Sequence, residues 1–261
     1  MKYVKYKIDE KDIINDEIEI VALGDLHIGD SNCDYKLLYK QIEYINKNDN
    51  CFVIGMGDYL NNALRLSKTD VYSAVAPQKE FQDAIEILGK IKTSKWIAMT
   101  TGNHEHRTYK EAGIDLNRFL AYELDIEDIY HPTISVIHLQ LKNTAYWIHI
   151  HHGAGGGSTK GGISNKMNKL GNIISNTDIV LMGHTHQQIH FTESRYFVDK
   201  KHDKIHKHTQ HLINTGNCLG YKDGYAEAMI LTPTAKGNAI LKLGDTHKAH
   251  GGKKISCRWT I

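Results

Sequence analysis

Five times in this 261-residue chain an apolar run stops at a glycine that has Asp, Asn or His beside it. The stretches are VALGDLH (21–27), FVIGMGD (52–58), WIAMTTGNHEH (96–106), YWIHIHHG (146–153) and IVLMGHTH (179–186). Short apolar runs bounded by glycine read as strands buried on both faces. In open α/β sheets, ligands bind just beyond the carboxyl ends of such strands, where the following loops meet. The pattern therefore predicts an α/β fold whose strand ends bring Asp25, His27, Asp58, Asn103, His104, the His151–His152 pair, His184 and His186 to a common rim.

The segments between these strands carry helical spacing. Leu37, Leu38, Ile42 and Ile45 mark one helix, and Pro77 opens another with Phe81, Ile85, Leu88 and Ile91. Residues 115–125 read as a helix capped by Asp115, and Ile163, Met167, Leu170 and Ile174 mark a further one. Two alternating strands are expected at the start of the chain, and a hairpin is expected where ISVIHLQL meets AYWIHIHHG across KNT. Past His186 helical spacing largely vanishes, and 196–216, 225–232 and 239–244 look like antiparallel strands. Residues 246–261 read as a loosely held basic C-terminal tail. No repeat or linker divides the chain, so a single domain over 1–261 is expected, of packed sheets flanked by helices.

Composition narrows the function classes. Lys plus Arg number 32 and Asp plus Glu 30, a net charge of +2, which gives no global electrostatic case for nucleic acid or a membrane surface. No apolar run approaches the roughly 18 residues of a spanning helix. Four scattered cysteines without a C-x-x-C, and an N-terminus unlike a signal peptide, point to reduced thiols and a cytoplasmic home.

The strand-end residues form a coherent donor set. Carboxylate, imidazole and amide oxygen suit Mn, Fe, Zn or Ni, and no thiolate is present to favour softer metals. A single zinc takes three or four ligands. About seven residues of ligand type gathered here would hold two divalent ions, the usual device for hydrolysing phosphate esters. Gly24, Gly57, Gly102, Gly153 and Gly183 have a mechanical reading as well: each permits a sharp turn, φ > 0 included, that aims the next side chain inward.

In its order GDLH, GD, GNHE, HG, GHTH over residues 24–186, the chain resembles the calcineurin-like metallophosphoesterase superfamily. That resemblance implies a four-layer sandwich of two mixed β-sheets flanked by α-helices. It implies that Asp25, His27, Asp58 and His186 hold one metal, with Asp58 bridging to a second held by Asn103, His152 and His184. Mn²⁺ is the first expectation, with Fe, Zn or Ni as alternatives. His104 would be the general acid in an in-line attack by water activated between the ions. An ordinary imidazole, near 6.5, suits that role. Neighbouring residues on a strand point to opposite faces, so His151 stays open as the alternative to His152.

Departures from known branches shape the substrate expectation. The stretch after the second GD reads YLNNALR, with Asn61 and Asn62 where serine/threonine protein phosphatases carry Asp-Arg. GNHEHR with HHGAGGGSTKGG is closer to compact phosphoesterases of phage and bacterial genomes. The expected substrate is a phosphate ester, specifically a nucleotide or nucleic-acid diester, with no membrane partner. A protein phosphatase and a catalytically inactive metal-binding scaffold are the competing readings. The glycine-rich loop 153–162 could cradle phosphate or simply connect, and Arg107 and Lys160 are candidate phosphate-binding cations. Of the 17 histidines, His202, His206, His208 and His211 read as solvated, and His138 and His149 as core histidines with their hydrogen bonds met.

Overall fold

The computed structural model describes residues 1–64, 75–133, 135–156, 159–222, 227, 232–245 and 253–259. The periodic segments fold as their spacing dictates. Helix α1 (Tyr35–Lys47) buries Leu37, Leu38, Ile42 and Ile45 on one stripe, and the Asp34 side chain caps it by accepting from the Leu37 N–H. Helix α2 (Pro77–Leu88) starts on proline, whose missing N–H costs nothing in the first turn. Helix α4 (Leu116–Glu123) is capped by Asp115, which accepts from Arg118 N at 3.2 Å. Helix α5 (Lys160–Ile173) buries Ile163, Met167 and Leu170.

The strands are β1 (Lys2–Lys7), β2 (Glu17–Leu23), β3 (Cys51–Gly55), β4 (Trp96–Thr100), β5 (Tyr130–His131), β6 (Ser135–Leu141), β7 (Thr144–His151), β8 (Ile179–Met182), β9 (Gln188–Asp199), β10 (Lys204–Asn217), β11 (Gly237–Gly244) and β12 (Lys254–Trp259). Their order is β1-β6-β7-β8-β10-β11-β2-β3-β4-β5, with β12 added to β11 and β9 to β10. Strands β2 to β5 run parallel, as do β7, β8 and β10, whereas β6–β7, β9–β10 and β11–β2 are antiparallel. This is an α/β fold with mixed sheet. The two halves of the strand order join through a short pairing of Gly216 and Asn217 with Asn238 and Gly237.

Burial explains why the ligand-bearing strands lack alternation. In β2, Ile18, Ile20 and Ala22 enter one apolar cluster together with Ile137, Ile148, Ile150 and Leu181. Val21 and Leu23 enter another, with Leu38, Ile42, Ala84 and Leu120 of α1, α2 and α4. Helix α5 covers Val180 and Leu212 in a third. Both faces of these strands are thus apolar, as their sequences require. No helix among the described residues is long and apolar enough to cross a membrane.

One expectation changes, one falls outside the described residues, and one helix is added. The tail is not loose throughout: Lys254–Trp259 forms β12 against β11, and its alternating Ile255, Cys257 and Trp259 pack on the inter-strand cluster. Residues 225–232, read as a strand, lie outside the described residues apart from 227 and 232. Helix α3 (Glu105–Ala112) was hidden, because its polar sequence has no apolar stripe.

Candidate metal centre

Strands β2, β3, β4, β7 and β8 end at one rim, and the residues that follow them converge. His27 Nε2 lies 3.1 Å from His186 Nε2, and His186 Nε2 lies 3.3 Å from Asp25 Oδ1. His152 Nε2 lies 3.2 Å from Asp58 Oδ2 and 3.0 Å from Asn103 Oδ1. Three groups are close enough to hold a metal ion: Asp25–His27–His186, Asp58–His152–His184 and His27–Asp58–His104. Every residue of the sequence-read set is therefore at this rim, and Asp58 belongs to two groups. His152, and not His151, enters the cluster; His151 Nδ1 instead accepts from Gly153 N at 2.8 Å.

The backbone here is strained in an unexpected place. Gly57 and Gly153 do have positive φ, at 88° and 114°. Gly24, Gly102 and Gly183 do not, which corrects the turn argument for those three. They are glycine because of close approach: a Cβ on Gly183 would stand 2.6 Å from Asp25 Oδ2, and one on Gly102 would fall on the Asp58 backbone and carboxylate. The left-handed conformation is carried by Asp25, His27, Asp58, His184 and His186 themselves, with φ between 48° and 70°. Non-glycine residues rarely adopt it, and such outliers cluster at functional sites.

The electrostatics fit a bound cation. Asp25 and Asp58 are almost fully buried without a Lys or Arg in ion-pair contact among the described residues, and imidazoles surround them instead. Burial opposes the charged form of Asp58, yet the adjacent His152 and His104 outweigh it and hold the carboxyl well below its usual range. Burial lowers His152 as well, but the Asp58 carboxylate dominates and raises it. His27 is driven well below 6.5 by burial and by the neighbouring imidazoles of His104 and His186. Two ring nitrogens 3.1 Å apart share at most one proton between them, so a cation is the natural third party. Metal ions compete with protons for such ligands.

His104 differs from expectation. Burial, with Arg107 adding to it, lowers its imidazole to about 4 against the pull of Asp58. It is therefore neutral at pH 7, not poised near 6.5. Its Nδ1–H donates to Asn61 O at 2.6 Å, which leaves Nε2 facing Asp58 Oδ2 at 3.9 Å. Arg107 also serves this turn, donating to Asn61 O and Asn62 O at 3.3 Å. Lys160 is exposed in the first turn of α5. The cation that closes on the glycine-rich loop is Lys166, which donates to the carbonyls of Ala154, Gly155 and Gly156.

Several supporting residues escaped the sequence reading. Glu105 is buried, and its carboxylate accepts from the backbone N–H groups of Asp58, Leu60 and Gly102 at 3.2, 2.9 and 3.0 Å, tying two strand-end loops together. Glu80 of α2 accepts from Asn62 N at 2.6 Å, and Asn62 Nδ2 donates to His104 O at 2.6 Å. A carboxylate next to a glycine-bounded turn was the available signal for Glu105; nothing local pointed to Glu80. Among the other histidines, His202 and His206 are exposed, whereas His211 pairs with His190 at 3.0 Å and His208 with Thr177 O at 2.7 Å. His149 is fully buried with no partner for either ring nitrogen among the described residues, contrary to the expected pairing.

No curated protein matches the chain. Among solved structures, Vps29 of Entamoeba histolytica complexed with Zn²⁺ shares 13% identity, with 93% of this chain and 99% of that one covered, at a TM-score of 0.41. Vps29 of Chaetomium thermophilum shares 12%, with 93% and 95% covered, at 0.43. A predicted phosphoesterase of Streptococcus pneumoniae shares 13%, with 93% and 98% covered, at 0.36. The family match is of another order, running from Ile18 to Gln188 through all five strand ends. The chain belongs to the calcineurin-like phosphoesterase family.

Proposed function

We propose that this single-domain protein is a two-metal phosphodiesterase acting on nucleotide or nucleic-acid esters in the cytoplasm. The observation that carries the reading is that His27 and Asp58 are each shared between two groups of ligand-type side chains, which joins the three groups into one continuous cluster. Asp25, His27, Asp58 and His186 would hold one divalent ion, and Asp58, Asn103, His152 and His184 the other, with Mn²⁺ first in expectation. Such ions supply Lewis acidity toward phosphoryl oxygens and an activated water.

The chain's own residues do the rest. Asn61 O fixes the His104 ring through Nδ1, so Nε2 is the nitrogen that delivers a proton to the leaving oxygen. Four free cysteines, three of them buried, support a reducing compartment. The three apolar clusters support four layers: α1, α2 and α4, the β2–β5 group, the β6–β8 group with β10, and α5.

The test is hydrolysis of bis-p-nitrophenyl phosphate by the purified protein with Mn²⁺, alongside the monoester. Turnover is expected, faster on the diester, and it falls about 10²–10⁴-fold in His104→Ala with metal content unchanged. No turnover with Mn²⁺, Fe²⁺, Zn²⁺ or Ni²⁺ in folded protein would leave a metal-binding scaffold. Faster release from phosphopeptides than from diesters would make it a protein phosphatase.

A further inference from the structure

Among the described residues the two longest strands, β9 and β10, run well past the metal centre. β10 pairs with β8 only from His211 to Asn214, so Lys204–Gln210 and the β9 segment opposite them project past the sheet as a two-stranded ribbon. Among the described residues β9 pairs with β10 alone, which leaves its outer edge without a strand. The ribbon also exposes large apolar side chains. Tyr196 is 72% exposed, Val198 63% and Ile205 71%, and the Val198–Ile205 pair in the register puts all three on one face. Phe197, on the other face, is 44% exposed. A long apolar edge strand is a template for a further strand unless charges block it.

The charges on β9 do not block it; they are arranged to pair with themselves. Counting outward from Phe197, Arg195 and Asp199 lie two residues away on either side, and Asp199 is the last residue of the strand. When a second β9 lies antiparallel with Phe197 opposite Phe197, Arg195 faces Asp199, twice by symmetry. Tyr196 then faces Val198 on the other side, which doubles the apolar face. A shift of one half-step, centred on Tyr196, sets Glu193 against Asp199 and loses every opposite-charge pair. The free edge of β10 is unsuited to this, because Lys204–Gln210 carries Lys204 and Lys207 and no acid.

We infer that two copies of this chain associate through antiparallel pairing of their β9 strands about Phe197, forming a continuous four-stranded ribbon. Arg195 and Asp199 already have partners within the chain: Arg195 donates to Gln210 Oε1 at 3.3 Å, and Asp199 accepts from Lys201 N and His202 N. A guanidinium and a carboxylate each have donors or acceptors to spare for a second contact. The ribbon tip lies at the far end of β10 from Asn214, which pairs with Met182 beside the metal centre, so association leaves that centre open.

The test is sedimentation equilibrium of the whole chain at several protomer concentrations up to about 50 µM. The wild type is expected to be dimeric, and Arg195→Asp to raise the dimer dissociation constant about tenfold or more by turning two attractive pairs repulsive. The swap Arg195→Asp with Asp199→Arg restores the dimer. Asp199 also holds the turn, so Phe197→Asp, which sets two like charges opposite each other at the centre of the pairing and leaves those turn bonds intact, is a second variant expected to weaken the dimer. Circular dichroism checks that each variant is folded. A monomeric wild type, a dimer indifferent to both Arg195→Asp and Phe197→Asp, or a well-folded swap that fails to restore association would overturn the inference.

Discussion

Glu80 offers the sharpest quantitative prediction, because its energetics separate from those of the metal centre. It is 2% exposed on α2, and burial raises its carboxyl from 4.5 to about 8. One oxygen accepts from Asn62 N, and the other has no partner among the described residues. The folded chain therefore keeps a proton on Glu80 up to about pH 8, whereas the unfolded chain releases it near 4.5. Between these values the native state binds more protons, so the stability associated with this residue is fully present below pH 4.5 and is lost as pH rises through about 8. The interval corresponds to about 5 kcal/mol as an upper figure. Glu80→Gln keeps an acceptor for Asn62 N and removes the titration. Urea unfolding of both proteins in EDTA at pH 5, 7 and 9 is expected to show the variant within about 1 kcal/mol of wild type at pH 5. By pH 9 the variant should be more stable by about 3–5 kcal/mol. A stability difference that does not change with pH would refute the assignment of a buried, protonated Glu80.

Two further outcomes concern the centre itself. Asp58→Asn should lower the metal bound per chain at both positions, as measured by inductively coupled plasma mass spectrometry after dialysis, whereas His151→Ala should leave it unchanged. Loss of metal only in the latter would reverse the choice between the adjacent histidines. Gly102→Ala forces a Cβ onto the Asp58 backbone and should destabilise the protein by roughly 1–3 kcal/mol, seen as a lower urea midpoint. An unchanged midpoint would show that the third strand-end loop is not packed against Asp58 as described.

The α/β class and most elements were legible because burial leaves a periodic trace. Leu37, Leu38, Ile42 and Ile45 repeat at helical spacing and are the residues α1 buries. Capping was legible where one side chain does the work, as with Asp115. What failed was structure held by distant or non-periodic contacts. Polar α3 has no stripe to read, and β12 is a strand only because β11 is there to receive it. Glu80 lies 18 residues from the turn it supports, with no spacing rule to connect them.

The centre shows a similar division at the scale of single residues. Which side chains converge was readable, since a ligand-type residue after a buried strand recurs five times. How the backbone delivers them was not. The glycines were the obvious carriers of left-handed turns, yet Asp25, His27, Asp58, His184 and His186 adopt that conformation themselves. Sparsely populated conformations of this kind cost about 1–3 kcal/mol each and persist only where surrounding contacts fix them. Those contacts are present: the Asp25 carboxylate accepts from His184 N, Glu105 accepts from Asp58 N, and the Asp58 carboxylate accepts from His104 N. Three of the five strand-end loops are thus held by a carboxylate from another loop, and those of Asp25 and His152 by the carbonyls of Gly57 and Met56. The strand-end loops are braced by the chain itself, and a glycine at any of the five left-handed positions would ease the backbone but remove the carboxylate or imidazole that the position presents.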